Sequence, residues 1–220
     1  MSLAIVYTRA ALGIEAPLIT VEVHLSNGLP GLTMVGLPET TVKEARDRVR
    51  SALINSGYAF PAKKITINLA PADLPKEGGR YDLPIALALL VASEQLNTTR
   101  LNQYEFVGEL ALTGGLRGVP GAIPSAMEAI KAGRRIVVSS DNAAEVGLIG
   151  GSDCLVADHL QEVCAFLAGQ TSLSPPLAEA PARDERYEDL LDVIGQQQGK
   201  RALEIVAAGG HNPVSYTHLT

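Results

Sequence analysis

The sequence predicts a β-sheet with α-helices packed on it, of the α/β or α+β class. Short runs rich in Val, Ile and Leu, of strand length, are bounded by Gly, Pro and Asn. Segments with apolar residues at helical spacing are inserted among them. Across 220 residues the hydrophobic content is 46%, ample for the core of one medium domain followed by a tail.

Residues 3–12, 18–25 and 32–35 read as strands, separated by Gly13, Asn27-Gly28 and Pro30-Gly31. Pro38-Glu39-Thr40-Thr41 opens a helix that runs to about Ser56, with Val42, Ala45, Val49, Ala52 and Leu53 on its inner face, and Gly57 stops it. Residues 65–69 alternate as a strand. A charged turn, Pro75-Lys76-Glu77-Gly78-Gly79-Arg80-Tyr81-Asp82-Leu83-Pro84, then leads into residues 85–92, which have no polar face and read as a buried helix. Asp82 stands where an N-cap belongs, and Pro84 falls in the first turn, where a missing N–H costs nothing.

Residues 105–112 and 116–119 predict a hairpin turning at Thr113-Gly114-Gly115. Helix 123–131 is ended by Gly133, and strand 135–139, a short helix 142–146 and strand 154–156 follow. Asp158 is expected to cap a last helix through Leu167. Residues 171–186, with Ser174-Pro175-Pro176, Ala180-Pro181-Ala182 and Arg183-Asp184-Glu185-Arg186, have linker composition, and a helix over 197–208 lies beyond them.

The order of strand, charged turn and buried helix, continued by residues 106–117 and Val119-Pro120-Gly121-Ala122-Ile123, resembles the Lon-type protease domain of the ribosomal S5 domain-2-like superfamily. The resemblance implies an α+β, S5-like sheet with packed helices over residues 1–170. Proteases of that family place a serine after a Pro-Lys-Asp-Gly-like turn and a lysine after a Gly-Gly-Leu-like turn. Here Asp82 occupies the serine slot and Pro124 the lysine slot. A Ser-Lys dyad needs a hydroxyl and a lysine base, and an aspartate and a proline supply neither, so no catalytic residue is expected. Ser125, one residue past the lysine slot, has no lysine to activate it.

Farther along, Asp192, Gly195, Gln196, Lys200-Arg201-Ala202-Leu203-Glu204 and Gly209-Gly210-His211-Asn212 resemble the opening of the AAA+ module in magnesium-chelatase-like ATPases of the ComM/YifB type. Residues 187–212 are thus the expected start of such a module, with Asp192, Gly195 and Gln196 on the adenine side. In that family an apolar strand and a Gly-x-x-x-x-Gly-Lys-Thr loop follow, whereas residues 213–220 depart from the pattern and are expected to be a tail foreign to it. Gly195-Gln196-Gln197-Gln198-Gly199-Lys200-Arg201 is no substitute: it has three residues between the glycines instead of four, and Arg where Ser or Thr should hold magnesium.

The resemblance implies a cytoplasmic parent protein that uses ATP and Mg2+, assembles as a hexameric ring, and acts on single-stranded or branched DNA in recombination or natural transformation. This stretch would itself hold no cofactor and would serve assembly or DNA engagement. Two rival readings are a Ser-Lys peptidase, or a regulator of one, and a magnesium-chelatase subunit.

A formal charge of −6 excludes a wholly basic nucleic-acid coat, so DNA contact requires a local patch. Lys43, Arg46 and Arg50 share a helix face, and Lys63, Lys64, Lys76 and Arg80 are candidates to extend it. The competing reading is an ordinary solvated helix neutralised by Glu39–Lys43, Glu44–Arg48 and Asp47–Arg50 pairs, with Arg80 paired to Glu77 or Asp82. Arg134-Arg135 is expected to answer the macrodipole at a helix C-terminus. Cys154 and Cys164 make no disulfide framework, and with His159 they lack a fourth metal ligand, so they read as buried structural thiols and no metal site is expected. No basic n-region precedes the first apolar residues, and the longest wholly apolar run, 83–92, is too short to cross a bilayer.

Overall fold

The computed structural model describes residues 3–39, 42, 44–149, 152–176 and 189–214, in two compact units, Met1–Glu179 and Ala180–Thr220. The first unit is built on a seven-stranded sheet in the order β3-β4-β2-β1-β5-β8-β9. Its strands are β1 (Leu3–Arg9), β2 (Leu18–Ser26), β3 (Gly31–Val35), β4 (Lys64–Ala70), β5 (Tyr104–Phe106), β8 (Arg135–Ser139) and β9 (Cys154–Ala157). Four neighbouring pairs are parallel, and β1–β2 and β2–β4 are antiparallel, giving a mixed, mostly parallel sheet. The helices are α1 (Ala45–Asn55), α2 (Asp82–Ala92), α3 (Ala122–Lys131), α4 (Ala143–Gly147) and α5 (Leu160–Leu167).

The two halves of the sheet are buried differently, and the sequence carries the difference. In β2, Ile19, Val21, Val23 and Leu25 point into the core under α2, while Thr20, Glu22 and His24 face outward. Such alternation marks a sheet covered on one face. In β8, Ile136 and Val138 pack into a second core with α3 and α4, and Val137 packs into the first. An unbroken Ile-Val-Val run is what a parallel strand covered on both faces requires. Helix α2 is apolar all round, and ten of its eleven residues are buried. Its apolar sequence leaves it no other stable place.

Several expectations are corrected. β1 ends at Arg9, because Ala10 and Leu12 turn back to bond Pro17 and Glu15. The predicted hairpin divides: Tyr104–Phe106 joins the large sheet between β1 and β8, and only β6 (Glu109–Leu110) and β7 (Leu116–Arg117) form the ribbon. His159, not Asp158, caps α5, its Nδ1 accepting from the Gln161 N–H at 3.2 Å while Nε2 lies 3.1 Å from the Thr113 carbonyl. At the start of the predicted linker, Leu173 lies against the core and Val156 N–H donates to the Ser174 carbonyl, while residues 171, 172, 174 and 175 are exposed. The remainder of the predicted linker, from 177 on, lies outside the described residues, as do residues 187 and 188. Arg134 and Arg135 do not cap a helix: Arg134 bonds Glu105 and covers the Tyr7 ring at 4.2 Å, and Arg135 donates to the Ser152 carbonyl.

Gly36 holds the chain after β3 close against β4. It has φ +95°, and a Cβ there would stand 2.1 Å from the Leu69 carbonyl oxygen. Gly57 also has positive φ (+82°) but nothing within 4 Å of a Cβ. Gly36→Ala is therefore expected to lose more than about 3 kcal/mol in urea unfolding, and Gly57→Ala only about 1 kcal/mol, since backbone cannot yield as solvent does. Equal losses would remove the close-approach argument.

The second unit begins its described part with Asp189, whose carboxylate accepts from Leu191 N–H and whose N–H donates to Asp192, a reciprocal cap on a short 3-10 turn. Gly195 (φ +74°) and Gln196 (φ +52°) then reverse the chain into α6 (Gln197–Gly209), which ends at Gly210 in the left-handed conformation.

Candidate functional site

The charged turn before α2 is where sequence and structure differ most. Asp82 is the first residue of the helix rather than its cap, and its carboxylate accepts no bond from the helix start. It accepts instead two bonds from Arg48 of α1, Nε at 2.7 Å and Nη2 at 3.0 Å, and one from Leu110 N–H at 3.2 Å. The carboxylate is fully buried while the Arg48 side chain is 24% exposed. Burial pushes the Asp82 pKa up to about 6 against the pull of Arg48, while the hydrogen bond to Asp82 raises that of Arg48. The two directions agree once burial is seen to fall mainly on the acid.

Lys76 and Arg80, expected on a DNA-facing stripe, are 0% and 3% exposed. Lys76 Nζ donates to the Pro71 carbonyl, and burial lowers its pKa. Arg80 does not pair with Glu77 or Asp82. It donates to the carbonyl oxygens of Arg9, at 3.3 Å, and Pro120. A polar sequence here covers carbonyl-lined interior, so these two cations are withdrawn from any nucleic-acid surface.

The protease slots do not meet in a common cavity among the described residues. Asp82 faces Arg48, whereas Pro124 lines a separate hollow with Ile14, Met127 and Lys131. Ser125 is buried, and its Oγ donates at 2.8 Å to the Gly121 carbonyl one turn back. That hydroxyl is occupied by its own helix. Cys154 belongs to the core under α3 and Cys164 to the core under α2, so with His159 at a helix cap the three form no common ligand set. Burial pushes the Cys164 pKa up to about 11.

On the outer side of α1, Arg46 and Arg50 line a shallow hollow of about 170 Å³ together with Phe60 and Lys63. Arg50 lies over the Phe60 ring at 5.2 Å. Among the described residues no carboxylate lies within ion-pair distance of Arg46, Arg50, Lys63 or Lys64, and the expected Asp47–Arg50 pair does not form. Arg48, counted on for neutralisation, is turned inward onto Asp82. Lys43 lies outside the described residues.

Comparison with known proteins identifies the family. The model of the family described as subunit ChlI of Mg-chelatase matches residues 21–142. The chain belongs to that family. It is 76% identical over 212 residues to the uncharacterized protein YifB of Salmonella typhimurium and 74% identical over 212 residues to that of Escherichia coli, in each case covering 96% of this chain and 42% of the relative. It is 56% identical over 219 residues to competence protein ComM of Haemophilus influenzae, covering 96% of this chain and 43% of that protein. The chain thus spans less than half the length of these relatives. It is a magnesium-chelatase-like protein of the ComM and YifB kind, as residues 192–212 suggest.

Within this ChlI-family chain, sequence reasoning missed three features. The Arg48–Asp82 pair links residues 34 positions apart, so no local spacing announces it. Phe60 was not singled out, though an aromatic beside Lys63-Lys64 and opposite a basic helix face is a usable signal. The withdrawal of Lys76 and Arg80 had one sequence sign, the apolar helix their turn must adjoin.

Proposed function

We propose that this stretch is the non-catalytic N-terminal part of a ComM-type AAA+ ATPase, and that its basic hollow engages single-stranded or branched DNA. The observation that carries the reading is the convergence of Arg46, Arg50 and Lys63 around Phe60, with no carboxylate in ion-pair range among the described residues. Three cations on one hollow track phosphates, and an aromatic edge among them suits an unpaired base. The name competence protein, carried by one relative, supports reading this role in competence.

The non-catalytic assignment rests on Asp82 and Pro124, which provide neither nucleophile nor base. ATP and Mg2+ belong to the whole protein in this reading. Asp192, Gly195 and Gln196 would meet the adenine, because the two left-handed residues bare a turn ahead of α6. A cytoplasmic hexameric ring would then bring several basic hollows to one strand. Among the described residues no helix is long and apolar enough to cross a membrane.

Fluorescence anisotropy with forked DNA tests the surface. Arg46→Glu/Arg50→Glu/Lys63→Glu should weaken binding by at least about tenfold at low salt and flatten the salt dependence by roughly two to three units of log–log slope. All three side chains are exposed, so the far-UV circular dichroism should not change. Unaltered affinity and slope would exclude the hollow as the DNA contact.

A further inference from the structure

We propose that the crevice at the head of α2 binds a carboxylate, seated on the guanidinium of Arg80. The crevice encloses about 310 Å³ and is lined by Ala11, Glu77, Gly78, Gly79, Arg80, Glu109 and residues 118–120. It opens beyond the carboxyl ends of β1 and β5, which are adjacent and parallel. There the chain departs in opposite directions, β1 to β2 on one side and β5 to β8 on the other. Such a divergence is where open α/β sheets place their ligands.

Arg80 is what makes this crevice a site. The residue is 3% exposed, yet among the described residues no carboxylate pairs with it. Its two hydrogen bonds go to the Arg9 and Pro120 carbonyl oxygens, which fix the guanidinium in place without neutralising it. A guanidinium carries five N–H donors, so donors remain for a ligand. Burial draws its pKa below the usual arginine value, the direction expected of a cation kept from water without a counter-charge. Among the described residues the other buried arginine, Arg9, has Glu105 at 2.6 Å. Arg80 alone of the pair has its anion still to find.

The flanking groups select the anion. Glu77 and Glu109 stand on the crevice wall, and Arg117 at 3.6 Å answers Glu109 only in part. A dianionic phosphate would meet that repulsion twice over, whereas a planar monoanionic carboxylate matches the guanidinium fork. Glycine stands at positions 78, 79 and 118 of the lining, with the Glu109 side chain against Gly79 and the Asp141 and Asn142 side chains against Gly118, so the space that remains suits a short carboxylic acid or the C-terminus of a peptide. The crevice shares no residue with the basic hollow, so either assignment can fail without the other.

The test is nitrogen-15 NMR of the whole chain, following the Arg80 Nε–Hε resonance while sodium acetate replaces sodium chloride at constant ionic strength. A saturable shift is expected with acetate. It should disappear in Ala11→Glu, where the new carboxylate reaches the same guanidinium. A Cβ on Gly121 would stand 3.5 Å from Arg80 Nη2 and 3.7 Å from Ala11 Cβ, so a glutamate at position 11 spans the gap. Arg80→Gln, where it folds, should abolish the response of the remaining crevice amides. A tripeptide with a free C-terminus that binds at least about tenfold tighter than acetate identifies a peptide terminus, and one no tighter identifies a small acid; both uphold the site. An immobile Arg80 resonance in folded protein, a shift that persists in Ala11→Glu, tighter binding of inorganic phosphate, or equal binding of the amidated peptide would each overturn it.

Discussion

Replacing Arg48 by methionine should destabilise the fold by about 3–5 kcal/mol at neutral pH, because it strips a buried carboxylate of the one cation paired with it among the described residues and leaves the charge in the core. Asp82 is fully buried and would keep one bond, from Leu110 N–H at 3.2 Å. The loss should shrink on acidification. In the native protein the Asp82 pKa is raised to about 6, so the folded state holds this proton more tightly than the unfolded chain, whose carboxyl titrates near 4. The resulting stabilisation is complete below about pH 4 and is lost as the pH rises through about 6, by roughly 3 kcal/mol in all. Without Arg48 the folded value moves higher still, so the loss continues into the neutral range. Urea unfolding at pH 5 and pH 8 checks this. Asp82→Asn, which keeps an acceptor and abolishes the titration, should flatten the pH dependence. A loss from Arg48→Met that is the same at both pH values would refute the buried-charge account.

What the sequence makes legible here is what periodicity encodes. The alternation in β2, the continuous apolar run of β8 and the apolar helix α2 each state how many faces are covered, and the structure covers that many. Charged residues follow a different logic. Neighbour rules pair Glu44 with Arg48 and Asp47 with Arg50, but a partner 34 positions away that is already buried offers Arg48 a stronger, less screened interaction than an exposed neighbour. Polar letters in the 75–82 turn look like surface for the same reason. Their acceptors are backbone carbonyls of Pro71, Arg9 and Pro120, which the sequence does not display. The hairpin misreading also has a physical source: Tyr104–Phe106 finds parallel partners on both sides, and pairing in the interior of a sheet outweighs a local turn.

Glu105→Ala should cost about as much as Arg48→Met, about 3–5 kcal/mol, and should be rescued by removing the cations it serves. Glu105 is fully buried and accepts from Arg9 at 2.6 and 2.8 Å and from Arg134 at 3.2 Å. Arg9 also donates to the carbonyls of Ala16 and Glu128, so one glutamate ties together β1, the 10–17 loop and α3. Deleting it leaves two arginines facing each other across a cavity. The combination Arg9→Met/Glu105→Leu/Arg134→Met removes every charge while filling the volume, and should be substantially more stable than Glu105→Ala alone. Urea midpoints of the two proteins decide the matter, and a triple variant weaker than the single one would mean that the arginines act mainly through their carbonyl contacts. The clamp also bears on the proposed carboxylate site, because the Arg9 carbonyl is one of the two acceptors that hold Arg80. A folded triple variant that keeps its acetate response would show that β1 is placed by its sheet partners alone. A lost response would make Glu105 the positioning residue for Arg80.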